Sequence, residues 1–191
     1  EELDKSTVLD TIYYSSKVPF GFNYADGEAN FGSDDDTMMG HGTHVAGIIA
    51  GNLTEAAQEQ FDMTSLGIAE AQLVIMKVFD KGGNCYFDYL IAAIEDAITL
   101  GVDCANLSLG LSSGPYYYEG VTEVYDAATA AGISVCVSAG NDGFTGTESL
   151  WGDEQIKSTS VSSGTLGMPG TFDSVLTVAS AENEGVKWLY A

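Results

Sequence analysis

Only two histidines occur in the chain, and both fall in one tetrapeptide, His41-Gly42-Thr43-His44. Histidine changes charge closest to neutral pH, so it is the natural proton carrier at a catalytic site. Gly40 and Gly42 flank His41 and leave room for a polypeptide backbone to come close. The same residues also read as a small-residue turn that happens to hold histidine, and local chemistry leaves both readings open. A second constellation is Ser138-Ala139-Gly140-Asn141-Asp142-Gly143. A strand ending in Ala-Gly-Asn can present the Asn141 amide to a cleft as a neutral donor for a developing oxyanion. The bland alternative is a turn, since Asn, Asp and Gly are all turn residues.

The same residues bear on metal chemistry. His41 and His44 are spaced i, i+3, and Asp34, Asp35 and Asp36 lie just upstream. The spacing is not HExxH and no downstream ligand is marked, so neither a metal site nor a cofactor is expected. The Asp run reads as a solvated loop, with calcium as the minority alternative.

These residues need a scaffold, and the composition allows one. Asp plus Glu total 28 against 6 Lys plus Arg, a formal net charge of -22 in 191 residues. Phosphate backbones and anionic membrane surfaces both require a basic footprint, so neither nucleic acid nor membrane is an expected partner. Hydrophobic residues make up 45%, enough for a packed core rather than a disordered acidic tail. No apolar stretch is long enough to span a bilayer as a helix. The opening EELDKSTVLD has neither the basic nor the apolar region of a signal peptide. The three cysteines, Cys85, Cys104 and Cys136, show no CxxC pair. Cys104 and Cys136 sit in apolar runs and are expected to be buried small hydrophobes.

Residues 1–40 are acidic, aromatic and loop-rich, without a clear period. HGTHVAGIIAGN from residue 41 predicts a helix whose glycines serve close packing. Residues 53–67 read as a polar surface excursion. Leu73–Phe79 predicts a buried strand. Helical spacing follows over Asp88–Leu100, with Gly101 as a stop signal. Val102–Leu109 predicts a strand, Val121–Ala131 a helix stopped by Gly132, Ile133–Val137 a strand and Val175–Ala179 another. This alternation predicts an α/β protein, with a mostly parallel sheet, helices on both faces and strands apolar on both sides. Ligands of such sheets bind at the carboxyl ends of the strands, which directs attention to residues 108–110 and 138–141.

Taken together, HGTHVAGIIAGN, NLSLG at 106–110 and SAGNDG at 138–143 resemble, in order and spacing, the histidine box, substrate strand and oxyanion segment of subtilisin-like serine proteases. KVPFGFNYADG ahead of the histidine box looks like the cell-envelope proteinases, the lactocepin and C5a-peptidase type. The resemblance covers residues 18–180. It implies a three-layer subtilisin-like fold and peptide-bond cleavage by acyl transfer. His41 would be the general base, His44 a structural histidine and Asn141 the oxyanion donor. Ser108, Leu109 and Gly110 would pair with an extended polypeptide substrate, while Ala139 and Gly140 would wall the P1 side-chain pocket. It also implies secretion, with wall anchoring through regions beyond this chain. Calcium is common in the family, but the loop Asn52–Gly67 departs from the usual calcium loop in length, so no site is assigned.

Two parts of the family pattern are not matched. No GTSMAxP serine box occurs, and neither Ser163-Gly164-Thr165 nor Gly146-Thr147-Glu148-Ser149 opens an apolar helix. TVLDT at 7–11 resembles the aspartate box superficially, but no Gly follows Thr11. The aspartate is expected upstream of residue 1, with Asp10 as the alternative. The expectation is therefore a partial, incomplete catalytic domain over residues 1–191, inactive alone, with residues 41–180 running from the histidine box to the oxyanion segment and the last strand. Residues 181–191 would be the edge of an inserted domain. Exposed core edges would make self-association, or association with the missing segments, plausible. The rival expectations are a non-catalytic peptide-binding module with the same cleft, and a metal-dependent hydrolase at His41 and His44.

Overall fold

The computed structural model describes residues 12–32, 40–63, 67–68, 70–111, 120–141, 145–147, 155–157 and 166–181. The chain divides into two units, Glu1–Ala93 and Ile94–Ala191.

In the first unit, strands β1 (Phe20–Asn23) and β2 (Val74–Lys77) pair in parallel, with Phe20 opposite Val74 and Asn23 opposite Lys77. β2 was expected. β1 was not expected: residues 1–40 show no clear period and read as loop-rich, yet Phe20–Asn23 is a strand. Its inward positions include Gly21 and Asn23, so no apolar alternation marks it. Phe31 lies directly over Gly21, where a Cβ would run into the ring. Asn23 is only 2% exposed. It stays satisfied because its side-chain amide donates to Asp26 Oδ2 at 2.9 Å and its Oδ1 accepts from the Asp26 backbone N–H at 3.2 Å.

Helix α1 (His41–Ala50) follows Gly40 and ends where the Gly51 N–H donates to the Gly47 carbonyl. Among the described residues, a Cβ at Gly42 or Gly47 would meet no atom within 4 Å, so no close neighbour there accounts for these glycines. The polar excursion contains a short exposed helix, α2 (Glu55–Phe61). Its signal is a cap rather than a period: Thr54 Oγ1 accepts from the Ala57 N–H at 3.3 Å. Helix α3 (Phe87–Leu100) spans the division between the units.

The second unit holds β3 (Cys104–Leu107), helix α4 (Val121–Ala130), β4 (Ser134–Ser138), β5 (Thr145–Thr147), β6 (Gln155–Lys157) and β7 (Leu176–Val178). β3, β4 and β7 form a parallel sheet in that order, while β5 and β6 pair antiparallel. Helices α3 and α4 stop in the same way. After α3, the N–H of Gly101 donates to Ile98 and that of Val102 to Ala97, at 3.1 and 3.3 Å. After α4, Gly132 donates to Thr129 and Ile133 to Ala128, at 3.0 and 3.1 Å. Both glycines have positive φ, 67° and 93°, as this double-bonded stop demands.

α4 buries Val121, Val124, Tyr125 and Ala128, at i, i+3, i+4 and i+7. It packs on β4, whose Val135 and Val137 are buried together with Leu107 of β3. Each such side chain contributes about 1.5–3 kcal/mol. The opposite face of the sheet is different. Cys104, Asn106 and Ser134 are exposed there, Cys136 and Ser138 are half-buried, and Leu176 and Val178 are 61% and 56% exposed. The strands are therefore not buried on both sides, and Cys104 is not a core residue.

Candidate functional site

In the first unit, His41 opens α1 and His44 follows in the same turn, closed by the His44 N–H donating to the Gly40 carbonyl at 2.9 Å. Both imidazoles are exposed. Gly40 has φ 76°. That left-handed turn takes no side chain without strain, so the approach to His41 stays clear on that flank. Asp10, Asp34–Asp36, Ser163 and residues 182–191 lie outside the described residues. Among the described residues, no group of three or more His, Cys, Asp or Glu is placed to hold a metal ion.

The second unit gathers the remaining candidates at the carboxyl ends of β3 and β4. In register, Leu107 stands opposite Val137, so the chain leaves the two strands level at Ser108 and Ser138. Ser138 Oγ donates to the Leu109 carbonyl at 3.3 Å and ties the two exits together. Ala139 is 4% exposed, and its N–H donates to the Val178 carbonyl at 2.9 Å. Gly140 takes φ 94°, which turns the chain out of the sheet and leaves Asn141 exposed at the end of the turn. Gly110 is exposed and Leu109 half-buried beside them.

A cavity of about 220 Å³ opens here, lined by Ser138, Ala139, Gly140 and Asn141 on one side and by Val178, Ala179 and Ser180 on the other. Sequence reasoning placed the first wall and missed the second. Val178–Ser180 carry little chemistry of their own, and only their position after β7 gives them a role. A brace was missed as well. Leu111 donates its N–H to the Met168 carbonyl at 2.8 Å, and Gly167 donates to the Ala139 carbonyl at 3.2 Å. Residues 167–170 are buried and hold both exits from behind. Met168–Pro169 is a cis peptide. A buried carbonyl-rich wall, an exposed amide donor and a clear strand edge can hold an extended backbone and meet a negative oxygen.

Comparison with known families decides what this arrangement belongs to. The subtilase family, Peptidase_S8, matches residues 4–187. The chain belongs to the subtilase family. Among relatives, it is 38% identical over 179 residues to the PI-type proteinase of Lactococcus lactis subsp. cremoris, covering 91% of this chain and 9% of that protein. It is 31% identical over 189 residues to the C5a peptidase of Streptococcus pyogenes serotype M18 (strain MGAS8232), covering 94% of this chain and 15% of that one. Subtilisin DY of Bacillus licheniformis is 31% identical over 186 residues, 94% of this chain and 57% of that protein. This subtilase chain thus spans from about a tenth to just over half of the relatives it matches. Solved structures agree on the fold. The prenylagaramide maturation protease PagA gives a TM-score of 0.57 at 24% identity, over 79% of this chain and 46% of that one. The S218A mutant of the protease domain of PatA gives 0.61 at 21% identity, over 85% and 50%. The α/β subtilisin-like architecture expected from sequence is the one observed. No helix among the described residues is long and apolar enough to cross a membrane.

Proposed function

We propose that this subtilase chain supplies part of the catalytic apparatus of a serine endopeptidase that acts outside the cell and cleaves peptide bonds by acyl transfer. His41 takes the proton of a serine hydroxyl as that oxygen attacks the scissile carbonyl, then gives it to the leaving amine. Asn141 donates its side-chain amide to the oxygen that becomes negative. Ser108, Leu109 and Gly110 add the extended substrate as a further strand, and Ala139 and Gly140 wall the pocket for the side chain before the cut. The reaction needs no cofactor. The nucleophilic serine comes from sequence outside these 191 residues, and so does the aspartate that orients His41, Asp10 being the alternative. The parent is secreted and held at the cell wall, and this polypeptide associates with the remaining catalytic segments or with itself. Its partner in turnover is a polypeptide, not nucleic acid or membrane.

The observation that carries this reading is in the second unit: a small-residue wall and the exposed Asn141 share one cavity, and Ser138 Oγ ties that wall to the Leu109 carbonyl of the neighbouring strand exit. The test uses two polypeptides. The 191-residue chain should release nothing from peptide substrates and take no label from a fluorophosphonate. A longer product of the same gene should do both, and His41→Ala should lower its turnover at least about 10,000-fold. Labelling of the 191-residue chain would overturn the assignment of the nucleophile to outside sequence. A longer product with no serine box that still holds peptides would instead be a binding module. Loss of activity on chelation, with no fluorophosphonate labelling, would point to metal hydrolysis at His41 and His44.

A further inference from the structure

Cys104 and Cys136 stand on neighbouring strands of the β3-β4-β7 sheet. Cys104 is opposite Ser134, and Cys136 is opposite Asn106. Alternation along each strand therefore puts both cysteines on one face, a single diagonal step apart. The Cys104 thiol is held above its ordinary value, first by burial and then by the neighbouring Cys136. Neither is in a disulfide; Cys104 is exposed and Cys136 half-buried. Asn106, Ser134 and Ser138 share that face, as does Leu176 opposite Cys136, itself 61% exposed, so the pair stays open to solvent. The third cysteine, Cys85, belongs to the other unit.

We propose that Cys104 and Cys136 form a thiophilic metal site that takes one soft monovalent cation of the Cu(I) class between their two sulfurs. Thiolates are the softest ligands a protein offers, and they select such ions over oxygen-seeking ones. Zinc asks for three or four protein ligands. Among the described residues no third His, Cys, Asp or Glu completes such a set. A filled-shell monovalent ion is satisfied by two sulfurs in a line. Diagonal neighbours on adjacent strands stand about 7–8 Å apart, within reach of two side chains that meet through one ion. Binding breaks two S–H bonds, releases two protons to solvent and forms two S–Cu bonds, with copper entering and staying as Cu(I). The bridge would pin β3 to β4 just ahead of Ser138 and Leu109, and it rests on geometry independent of the protease reading.

Anaerobic titration of the 191-residue protein with Cu(I), in competition with the chromophoric chelator bicinchoninate, tests this. The protein and its Cys85→Ser variant should each hold one equivalent. Cys104→Ser and Cys136→Ser should each bind at least about tenfold more weakly. Undiminished binding by either variant overturns the site. Differential alkylation of the unmutated protein removes dependence on variant folding. Cu(I) should protect Cys104 and Cys136 and leave the rate at Cys85 unchanged. Burial, with the Asp80 carboxylate adding to it, pushes the Cys85 thiol up to about 11. Protection absent from Cys104 and Cys136, or shared equally by Cys85, overturns the proposal.

Discussion

Leu111 and Met168, far apart in sequence, are joined by one backbone bond, the Leu111 N–H donating to the Met168 carbonyl at 2.8 Å. The bond fixes the end of the segment assigned to substrate. Gly167, one residue away, has no room for a side chain, because a Cβ there would strike the Leu111 carbonyl. The obstruction is backbone and cannot swing aside. Gly167→Ala should therefore destabilise the second unit by about 1–3 kcal/mol, measured by urea unfolding. An unchanged midpoint would mean that the brace does not form.

Tyr125 is fully buried on α4, and its ring meets Phe172 edge-on, centroids 5.3 Å apart at 72°. Tyr125→Ala should cost roughly 3–5 kcal/mol, mostly through the cavity left behind. A double-mutant cycle with Tyr125→Leu and Phe172→Leu isolates the pair. A coupling of about 0.5–1.5 kcal/mol is expected, and strict additivity would show that the edge-on geometry contributes nothing.

Asp80 gives a pH prediction with a definite sign. The Asn84 backbone N–H and side-chain amide hold its carboxyl below the ordinary 3.8, helped by the Gly82 N–H and the charge of Lys77. A depressed folded pKa stabilises the fold above the unfolded value, and the gain disappears as pH falls through the folded one. Asp80→Asn removes this titration. The stability gap between wild type and variant should be constant near neutrality and shrink below about pH 4. A gap that stays constant down to about pH 2 would rule out the linkage.

In an active longer product, Asn141→Ala should lower kcat by about 100- to 1000-fold and change KM little. An oxyanion donor acts on charge that exists only in the transition state. A rise in KM with kcat intact would make Asn141 a ground-state contact instead.

From β2 onward the fold was legible because apolar runs alternate with helical spacing, and glycines mark the stops. β1 was not, because Gly21 and Asn23 face inward where an apolar residue would have announced a strand. α2 buries nothing and so has no period; its one local sign was Thr54 ahead of an acidic first turn. His41, Asn141 and the strand at 108–110 were legible by residue type. The wall at 178–180 and the brace at 167–170 were not. They act through carbonyls and missing side chains, which only the folded path brings beside Asn141.

The paired glycine stops after α3 and α4 act as a ruler. Ser108 and Ser138, level at the strand exits, follow their stops, Gly101 and Gly132, by short spans that differ by a single residue. Whatever lengthening accumulates in the helices or the loops before them, the count restarts at each glycine. The cleft is thus insulated from variation upstream and exposed to it only within those two short spans. A single residue inserted between Gly132 and Ser138 would turn the side chains of β4 to the opposite face of the sheet, while one inserted before the glycine would leave the register of the strand as it is.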